Sequence, residues 1–407
     1  MPIDNNRPGE LELLTNMKIG FSINPSVLNQ VTLREVILAE SLLNPGLQTT
    51  IRVHSYIHEL PPKDLNQYKG STVTLDFDRP ILEKYKIYSK FLTNQTIYRL
   101  ENRKPVNAVN EEYTLHACDP TLLIDAATLV SKLWKCTTPS AVVRDVLVNC
   151  AGAINPDIEP SLPARDYVAE NIHPFQVVNQ QAEVALAGGN DPSFLHYMTY
   201  DHVNGVGKHH FRSLKSLTAA SPKITYYFDE VGSNRGYGYP YAIVSHQFPC
   251  DFDLLSDILN GLGPDGGNIS SAIIFNPLIK QFSMFGNSAV GCGVGSGILK
   301  AAMTNFLTAQ QQNACPDYSQ FYVHKRQARM GLLNQDKIAL RMTVPWNPNL
   351  HVGDIIRLEL YNKNDRNVEV YGTGDYLILH LSHVLQHGGY SVTTLDCVSN
   401  TVGAGIV

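Results

Sequence analysis

Three histidines near the C-terminal end of the chain, His380, His383 and His387, have a spacing that would suit zinc ligands if they lay on one helix. The residues around them alternate instead, with leucines at every second position from 377 to 381 and again at 385. This period of two predicts a strand, which places His380 and His383 on opposite faces. We therefore expect no metal site at these histidines.

A glycine-rich stretch, Gly291 to Gly297, precedes a predicted helix over 298–312 and has the general form of a loop that cradles a phosphate. It lacks the Lys-Ser/Thr pair of a P-loop, and no strongly apolar strand leads into it. A flexible loop is the better interpretation of the 286–297 segment. No GxSxG or HExxH motif is present, so we expect no enzyme and no cofactor.

The strands that position these residues are clearest from Ile338 to Trp346. Every second residue there is apolar, and Arg341 is among the residues that point the other way, which is typical of a half-buried strand. Further alternating segments follow, separated by turns. The turn and strand-start residues that we expect to be structural are Gly353, Asp354, Gly374, Asp375, Tyr376 and Tyr390.

The N-terminal part repeats this plan. Apolar residues alternate with polar ones from Ile51 to His58 and again from Thr72 to Asp78, and a strand from Tyr113 to Asp119 closes the segment. Asp76 and Asp78 lie on the polar face of their strand, as Glu359 and Glu369 are expected to do in the C-terminal part.

The middle of the chain has a different pattern. A capping box at 32–35 predicts a helix that ends at 44–46. Helical periodicity starts again at Thr138 and at Phe175, and a hairpin is predicted over 194–214. The fold class that follows is α+β, with two related small antiparallel β-barrels and two α/β to helical insertions. The predicted divisions are a first barrel with an N-terminal arm at 1–119, an α/β insertion at 120–217, a second barrel at 218–245 and 331–407, and a helical or loop insertion at 246–330.

Composition limits the partners. The 407 residues carry a net charge of −5, which offers no basic footprint for nucleic acid. Neither a signal peptide nor an apolar run near 18 residues is visible, so we expect a soluble protein assembled in a cytoplasm. The seven cysteines are scattered without a CxxC motif, which favours buried thiols.

The chain resembles the central baseplate hub proteins of contractile-tailed bacteriophages, which are similar to the hub part of type VI secretion spike proteins. The resemblance lies in the order of elements and in the segments Gly353 to Ile356, Gly374 to Ile378 and Phe194 to Leu214, together with His383 and Tyr390. It implies a structural virion protein of the tail baseplate. Such a hub is a homotrimer whose two barrels per chain form a ring of six, between the tail tube protein ring and the central spike trimer, with contacts to wedge proteins.

The resemblance also implies that DNA passes through the ring without specific binding. A wall that conducts DNA should be neutral or acidic, because each phosphate contact by Lys or Arg adds affinity. Asp76, Asp78, Glu359 and Glu369 are the candidate lumen-facing acids. Three readings stay open beside the hub: a monomeric two-barrel protein, a hydrolytic tail enzyme that degrades peptidoglycan, and a β-rich module that binds a receptor or a carbohydrate.

Overall fold

A computed structural model gives the fold. It describes residues 18–23, 26–27, 32–56, 69–78, 90–188, 191–201, 204–229, 241, 243–250, 271–276, 281–286, 326, 329–331, 333, 338–361, 372–386 and 391–399. The predicted strand residues Tyr390 and Glu369, the glycine-rich stretch and the predicted helix over 298–312 lie outside these residues.

The N-terminal part consists of strands, because apolar and polar residues alternate along it. Its seven strands are β1 (Lys18–Ile23), β2 (Ser26–Val27), β3 (Thr32–Ser41), β4 (Gln48–Tyr56), β5 (Thr72–Asp78), β6 (Lys90–Pro105) and β7 (Asn110–Cys118). In β5 the side chains of Val73, Leu75 and Phe77 are fully buried, while Asp76 between them is exposed.

The segment that follows mixes helices and strands. Its elements are α1 (Pro120–Ala127), β8 (Val130–Thr137), α2 (Pro139–Asn149), β9 (Asp157–Ile158), β10 (Arg165–Ile172), α3 (Pro174–Val184), β11 (Phe194–Asp201), β12 (Val206–Ser213) and α4 (Leu214–Thr218). Each of the first three helices starts with a proline in its first turn, where the missing N–H costs nothing. The two predicted helices from Thr138 and Phe175 and the hairpin over 194–214 are confirmed.

The C-terminal part returns to strands. They are β13 (Ile224–Asp229), β14 (Ser245–Gln247), β15 (Ser271–Asn276), β16 (Gln281–Gly286), β17 (Leu340–Pro345), β18 (Ile355–Tyr361), β19 (Gly374–Gln386) and β20 (Ser391–Val398). Strands β15 and β16 pair as an antiparallel hairpin inside the range predicted to be a helical insertion, so the helical prediction is wrong for those residues.

The two strand-rich parts share one hydrogen-bonded sheet of thirteen strands, in the order β14-β17-β20-β19-β3-β4-β7-β6-β5-β1-β2, with β18 and β13 branching from β19. Strands β3 and β19 join the two parts, with His380 opposite Ser41 and Gln386 opposite Glu35. The pairings of the described strands do not close either part into a barrel. They are antiparallel apart from β13–β18 and β9–β12, and the parallel β13–β18 pair departs from the predicted antiparallel plan.

Each part nevertheless has its own hydrophobic core. One core cluster is built mainly from β3 to β7, a second mainly from β13 and β17 to β20, and a third from α2, α3 and the strands between them.

The predicted helix over 32–44 is wrong. These residues form β3, which pairs with β4 on one side and with β19 on the other. Hydrogen bonds to neighbouring strands on both edges of this segment therefore outweigh its local preference for a helix. The tertiary pairing makes the segment a strand.

The alternation along β17 gives a direct stability prediction. Leu340 is fully buried, whereas the side chain of Arg341 is half exposed and pairs with Asp396 at 2.6 Å. We expect Leu340→Ala to lower the free energy of unfolding by about 2–5 kcal/mol, and Arg341→Ala to lower it by less than about 1 kcal/mol. Chemical denaturation of both variants checks this, and the reverse ranking would contradict the register.

Candidate functional site

Strand β11 lies at the meeting point of the three cores. Phe194 packs in the core of the mixed segment, Leu195 and Tyr197 in the C-terminal core, and Met198 and Tyr200 in the N-terminal core. All residues from 194 to 200 are buried, so both faces of the strand are covered. A strand in this position fixes how the three parts are oriented relative to one another.

A buried carboxylate, that of Glu40 on β3, lies at the same junction. Its oxygens accept hydrogen bonds from the backbone N–H groups of Tyr200 at 2.8 Å and Val352 at 3.0 Å. The Nδ1 atom of His351 lies 3.0 Å from the carboxylate, whose side chain has no exposed surface. One side chain thus connects segments that are 160 and more than 310 residues away in sequence.

The environment of Glu40 favours the charged form. Burial alone raises the pKa of this carboxyl, but the charge and hydrogen bond of His351 and the two backbone N–H groups together outweigh that effect. The pKa of Glu40 is therefore lowered from its ordinary value. The buried charge is matched by donors, as a stable buried carboxylate requires.

A second buried network holds β11 and β12 to the start of α1. Asp119 accepts hydrogen bonds from the Thr121 hydroxyl at 2.5 Å and from the Gly207 N–H at 2.9 Å. Nε2 of His209 lies 3.1 Å from the same hydroxyl, and its Nδ1 lies 3.1 Å from Nε2 of His196. A side chain at position 207 would clash with Asp119, because an added Cβ would lie 2.4 Å from Oδ2.

The two histidines of this network are kept neutral by their surroundings. Their rings stack at 5.4 Å between centroids, and the Phe175 ring meets both edge-on. Burial lowers the pKa of His209 to about 3 and holds the pKa of His196 well below its usual range. Neither imidazole is suited to binding a proton or an anion at neutral pH.

The polar face of the large sheet carries charges that are largely paired. Arg52 meets Glu35 at 2.9 Å, and Arg357 makes two bonds to Asp375 at 2.7 and 2.9 Å. Arg341 on β17 likewise makes two hydrogen bonds to Asp396 on the neighbouring strand β20. Cations matched by carboxylates in this way present little net positive charge to a polyanion.

The arrangement as a whole is shared with known structures. The chain has a TM-score of 0.56 to the tail protein from Neisseria meningitidis MC58, at 9% identity, covering 95% of this chain and 98% of that one. It has a TM-score of 0.54 to the 43 kDa tail protein of prophage MuSo2 from Shewanella oneidensis, at 8% identity, covering 95% and 99%.

The chain has the fold of phage tail proteins. It also aligns with a chain of the lidded Francisella PdpA-VgrG complex at a TM-score of 0.50 and 10% identity, covering 98% of this chain and 55% of that one. The sequence itself matches no family model, and no curated protein matches it. The likeness therefore lies in the three-dimensional arrangement of the elements.

Within this tail-protein fold, one of the predicted turn residues, Gly353, lies beside the junction. Gly353 has a φ of +84° and approaches Tyr197 so closely that an added Cβ would lie 3.1 Å from its hydroxyl oxygen. Asp354 forms an ion pair with Lys223 at 2.7 Å, and the Tyr376 hydroxyl donates to the Gly372 carbonyl at 2.7 Å. Gly374 begins β19. These contacts are of the kind that stabilise turns and strand ends.

The two candidate lumen acids whose side chains are described lie on different strands. Asp76 is exposed on β5, and Glu359 is half-buried on β18, where its carboxylate accepts a bond from the Tyr361 hydroxyl at 2.9 Å. Asp78 ends β5, but its side chain lies outside the described residues, as does all of Glu369. The channel-facing role of these acids stays a prediction.

Two of the three histidines with zinc-like spacing, His380 and His383, lie on opposite faces of β19, and His387 lies outside the described residues. His383 is fully buried, with Nδ1 2.9 Å from the Thr393 hydroxyl, whereas His380 lies partly exposed on the other face. In the part of the chain that the structure describes, no three metal-ligating side chains come together. No described helix is both long and apolar enough to cross a membrane.

Sequence reasoning missed the two residues that matter most at the junction, Glu40 and His351. The one available signal was the acid at a position where β3 should present an apolar side chain, since Val36, Leu38 and Leu42 are all buried. A carboxylate in that pattern can lie on the exposed face of a helix, or it can be buried in a strand against a polar partner. The neighbouring residues in the sequence do not distinguish these two cases.

Proposed function

We propose that this protein is a trimeric baseplate hub, a structural virion protein that adapts a six-fold tail tube to a three-fold central spike. The observation that carries the proposal is the tail-protein fold, which extends over 95% of the chain and nearly the full length of two tail proteins. The two strand-rich parts with separate cores supply two similar units per chain, and three chains then supply six.

In this proposal the strand-rich parts at 1–119 and at 218–245 with 331–407 act as tube domains, and residues 120–217 and 246–330 are insertions on the outside. The tube ring and the spike trimer are the partners on the two sides, and wedge proteins contact the rim. The buried contacts of Glu40 and of β11 suit this role, since a hub must hold its units in a fixed relative orientation.

Oligomeric state tests the proposal first. A trimer should have a mass of about 135 kDa, three times the 45.1 kDa of one chain. It should bury interfaces on the order of 2,000–5,000 Å². Multi-angle light scattering of the purified protein, across a hundredfold range of concentration, measures this mass. A folded chain that stays at the monomer mass throughout would contradict the hub.

The channel is tested by reversing charge on the candidate wall. Three copies carry a net charge of −15, three times −5, which suits a conduit for DNA. We expect Asp76→Lys with Asp78→Lys to leave particle assembly intact and to slow DNA delivery, because each added cation is repeated around the ring. Glu183→Lys, an exposed acid-to-lysine change on α3, is the matched control. Normal delivery by normally assembled double-variant particles would remove these two acids from the wall.

A further inference from the structure

The exposed apolar surface of the described residues is concentrated in the inserted segment. Twelve large apolar side chains are exposed, and eight of them lie between residues 123 and 168. A monomeric soluble protein scatters such residues, whereas their concentration in one unit marks an interaction surface. The inserted segment has two separate patches of this kind, one a cleft and the other an exposed strand face.

The cleft lies along α2. Ala141, Arg144 and Val148 form the helix stripe that faces away from the core, and Ile154 and Pro160 form the opposite wall. The open cleft has a volume of about 770 Å³. Val148 is 42% and Ile154 62% exposed. Arg144 makes no ion pair or hydrogen bond with any described residue, so its guanidinium is available at the rim.

The exposed strand face is the outer side of the ribbon formed by β8 and β10. Leu133 and Val168 are direct cross-strand neighbours, and both are about half exposed. The inner side of the ribbon packs on α2, since the Trp134 indole N–H donates to Asp145 at 2.8 Å. Glu170 lies two residues from Val168 on the same face, and the exposed Lys135 lies two residues from Leu133. Asp166 lies at a register irregularity of the ribbon and accepts a hydrogen bond from the Cys136 N–H at 2.6 Å.

The two patches complement each other. The cleft is lined by both Arg144 and Asp145, and Asp145 is already paired with Lys132 at 2.6 Å. The guanidinium of Arg144 is therefore the charge of the cleft that can meet a carboxylate on the ribbon face. The two patches cannot meet within one chain, because the inner side of the ribbon already covers the adjoining part of α2. Contact between two different patches of identical chains is head-to-tail, and such contacts form a ring when the rotation between copies closes.

We propose that the outer face of the β8–β10 ribbon of one copy docks into the α2 cleft of the next copy. This contact rests on the proposed trimer and names the surfaces that would hold it together on the outside of the ring. The occupant of the cleft is thus a second copy of this chain, with Val168 and Leu133 in the cleft and Glu170 near Arg144.

Single charges placed in either patch test the contact by light scattering. We expect Ile154→Glu and Val168→Glu each to weaken association at least tenfold, while Trp fluorescence and circular dichroism stay those of the folded chain. Val109→Glu is the matched control, because Val109 is equally exposed, at 52%, on the β6–β7 turn far from both patches in the fold. A wild-type monomer would overturn the hub itself, whereas wild-type and variant trimers of equal stability would overturn only this contact.

A crosslink shows which patches meet. With the exposed Cys136 changed to serine, the double variant Ile154→Cys with Val168→Cys should form disulfide-linked dimers and trimers under mild oxidation. Either single cysteine variant in the same background should stay largely uncrosslinked at these positions. Absence of linked species from a double variant that remains trimeric would overturn the proposed pairing.

Discussion

Replacing Glu40 with alanine should lower the free energy of unfolding by about 2–6 kcal/mol, because two buried backbone donors lose their acceptor and each unsatisfied donor costs about 1–3 kcal/mol. The change leaves the N–H groups of Tyr200 and Val352 without acceptors and leaves His351 without its carboxylate. Because these groups belong to different parts of the chain, we expect the loss to loosen the junction and not only one strand. Chemical denaturation measures the change.

Glu35 provides the matched control on the same strand. It lies on the other face of β3 and pairs with Arg52, whose side chain is 61% exposed. The side chain of Glu35 is only 13% exposed and also accepts a hydrogen bond from Gln386 at 2.8 Å. Glu35→Ala should therefore cost about 1–2 kcal/mol, less than Glu40→Ala. Glu40→Gln should fall between the two, since the amide keeps an acceptor but loses the charge. If Glu40→Ala cost no more than Glu35→Ala, the buried carboxylate would not hold the junction.

Acid should destabilise the fold well before its carboxylates are protonated. The pKa of His209 is about 3 in the folded chain, below the ordinary value of 6.5, because the imidazole is buried. Below pH 6.5 the unfolded chain therefore binds more protons than the folded chain, and stability is lost as the pH falls from 6.5 towards 3. The slope is about 1.4 kcal/mol per pH unit for each such histidine. His196, whose pKa is also lowered by burial, acts in the same direction.

Unfolding free energies at pH 7.5, 6.0 and 5.0 check this prediction. The chain has two tryptophans, and Trp134 packs in the same core cluster as Phe175, the ring that contacts both histidines. In a Trp346→Phe background, Trp134 fluorescence therefore reports on this region. His209→Gln should lower stability at pH 7.5 and also reduce the pH slope by about 1.4 kcal/mol per unit. An unchanged slope would contradict the neutral buried pair.

Local patterns predicted much of this fold because burial follows the period of the element. Leu340, Met342 and Val344 are buried and Arg341 between them is exposed, as alternation indicates. The helix over Pro139–Asn149 likewise buries one stripe, with Val143, Val146 and Leu147 among its core residues. In both cases one face of a single element decides the outcome, and this information is contained in a short window.

The rest depended on partners that are distant in sequence. The capping box at 32–35 predicts a helix where β3 forms, and the strand is explained only by its pairing with β4 and with β19, which lies more than 300 residues away. The buried carboxylate of Glu40 is likewise explained only by distant partners such as His351. The fusion of the two strand-rich parts through β3 and β19 was missed for the same reason. The buried pair of His196 and His209 depends on the register of β11 against β12, which a single sequence does not fix.

The most direct test of the hub is the symmetry of the assembled ring, seen by electron cryomicroscopy of the purified oligomer or of the particle. We expect three chains around a channel, with the N-terminal and C-terminal strand-rich parts alternating to give six similar units in the wall. The tube should contact this wall on one side and the spike on the other. A ring in which only one strand-rich part of each chain reaches the channel, or an assembly without three-fold symmetry, would contradict the proposed adaptor.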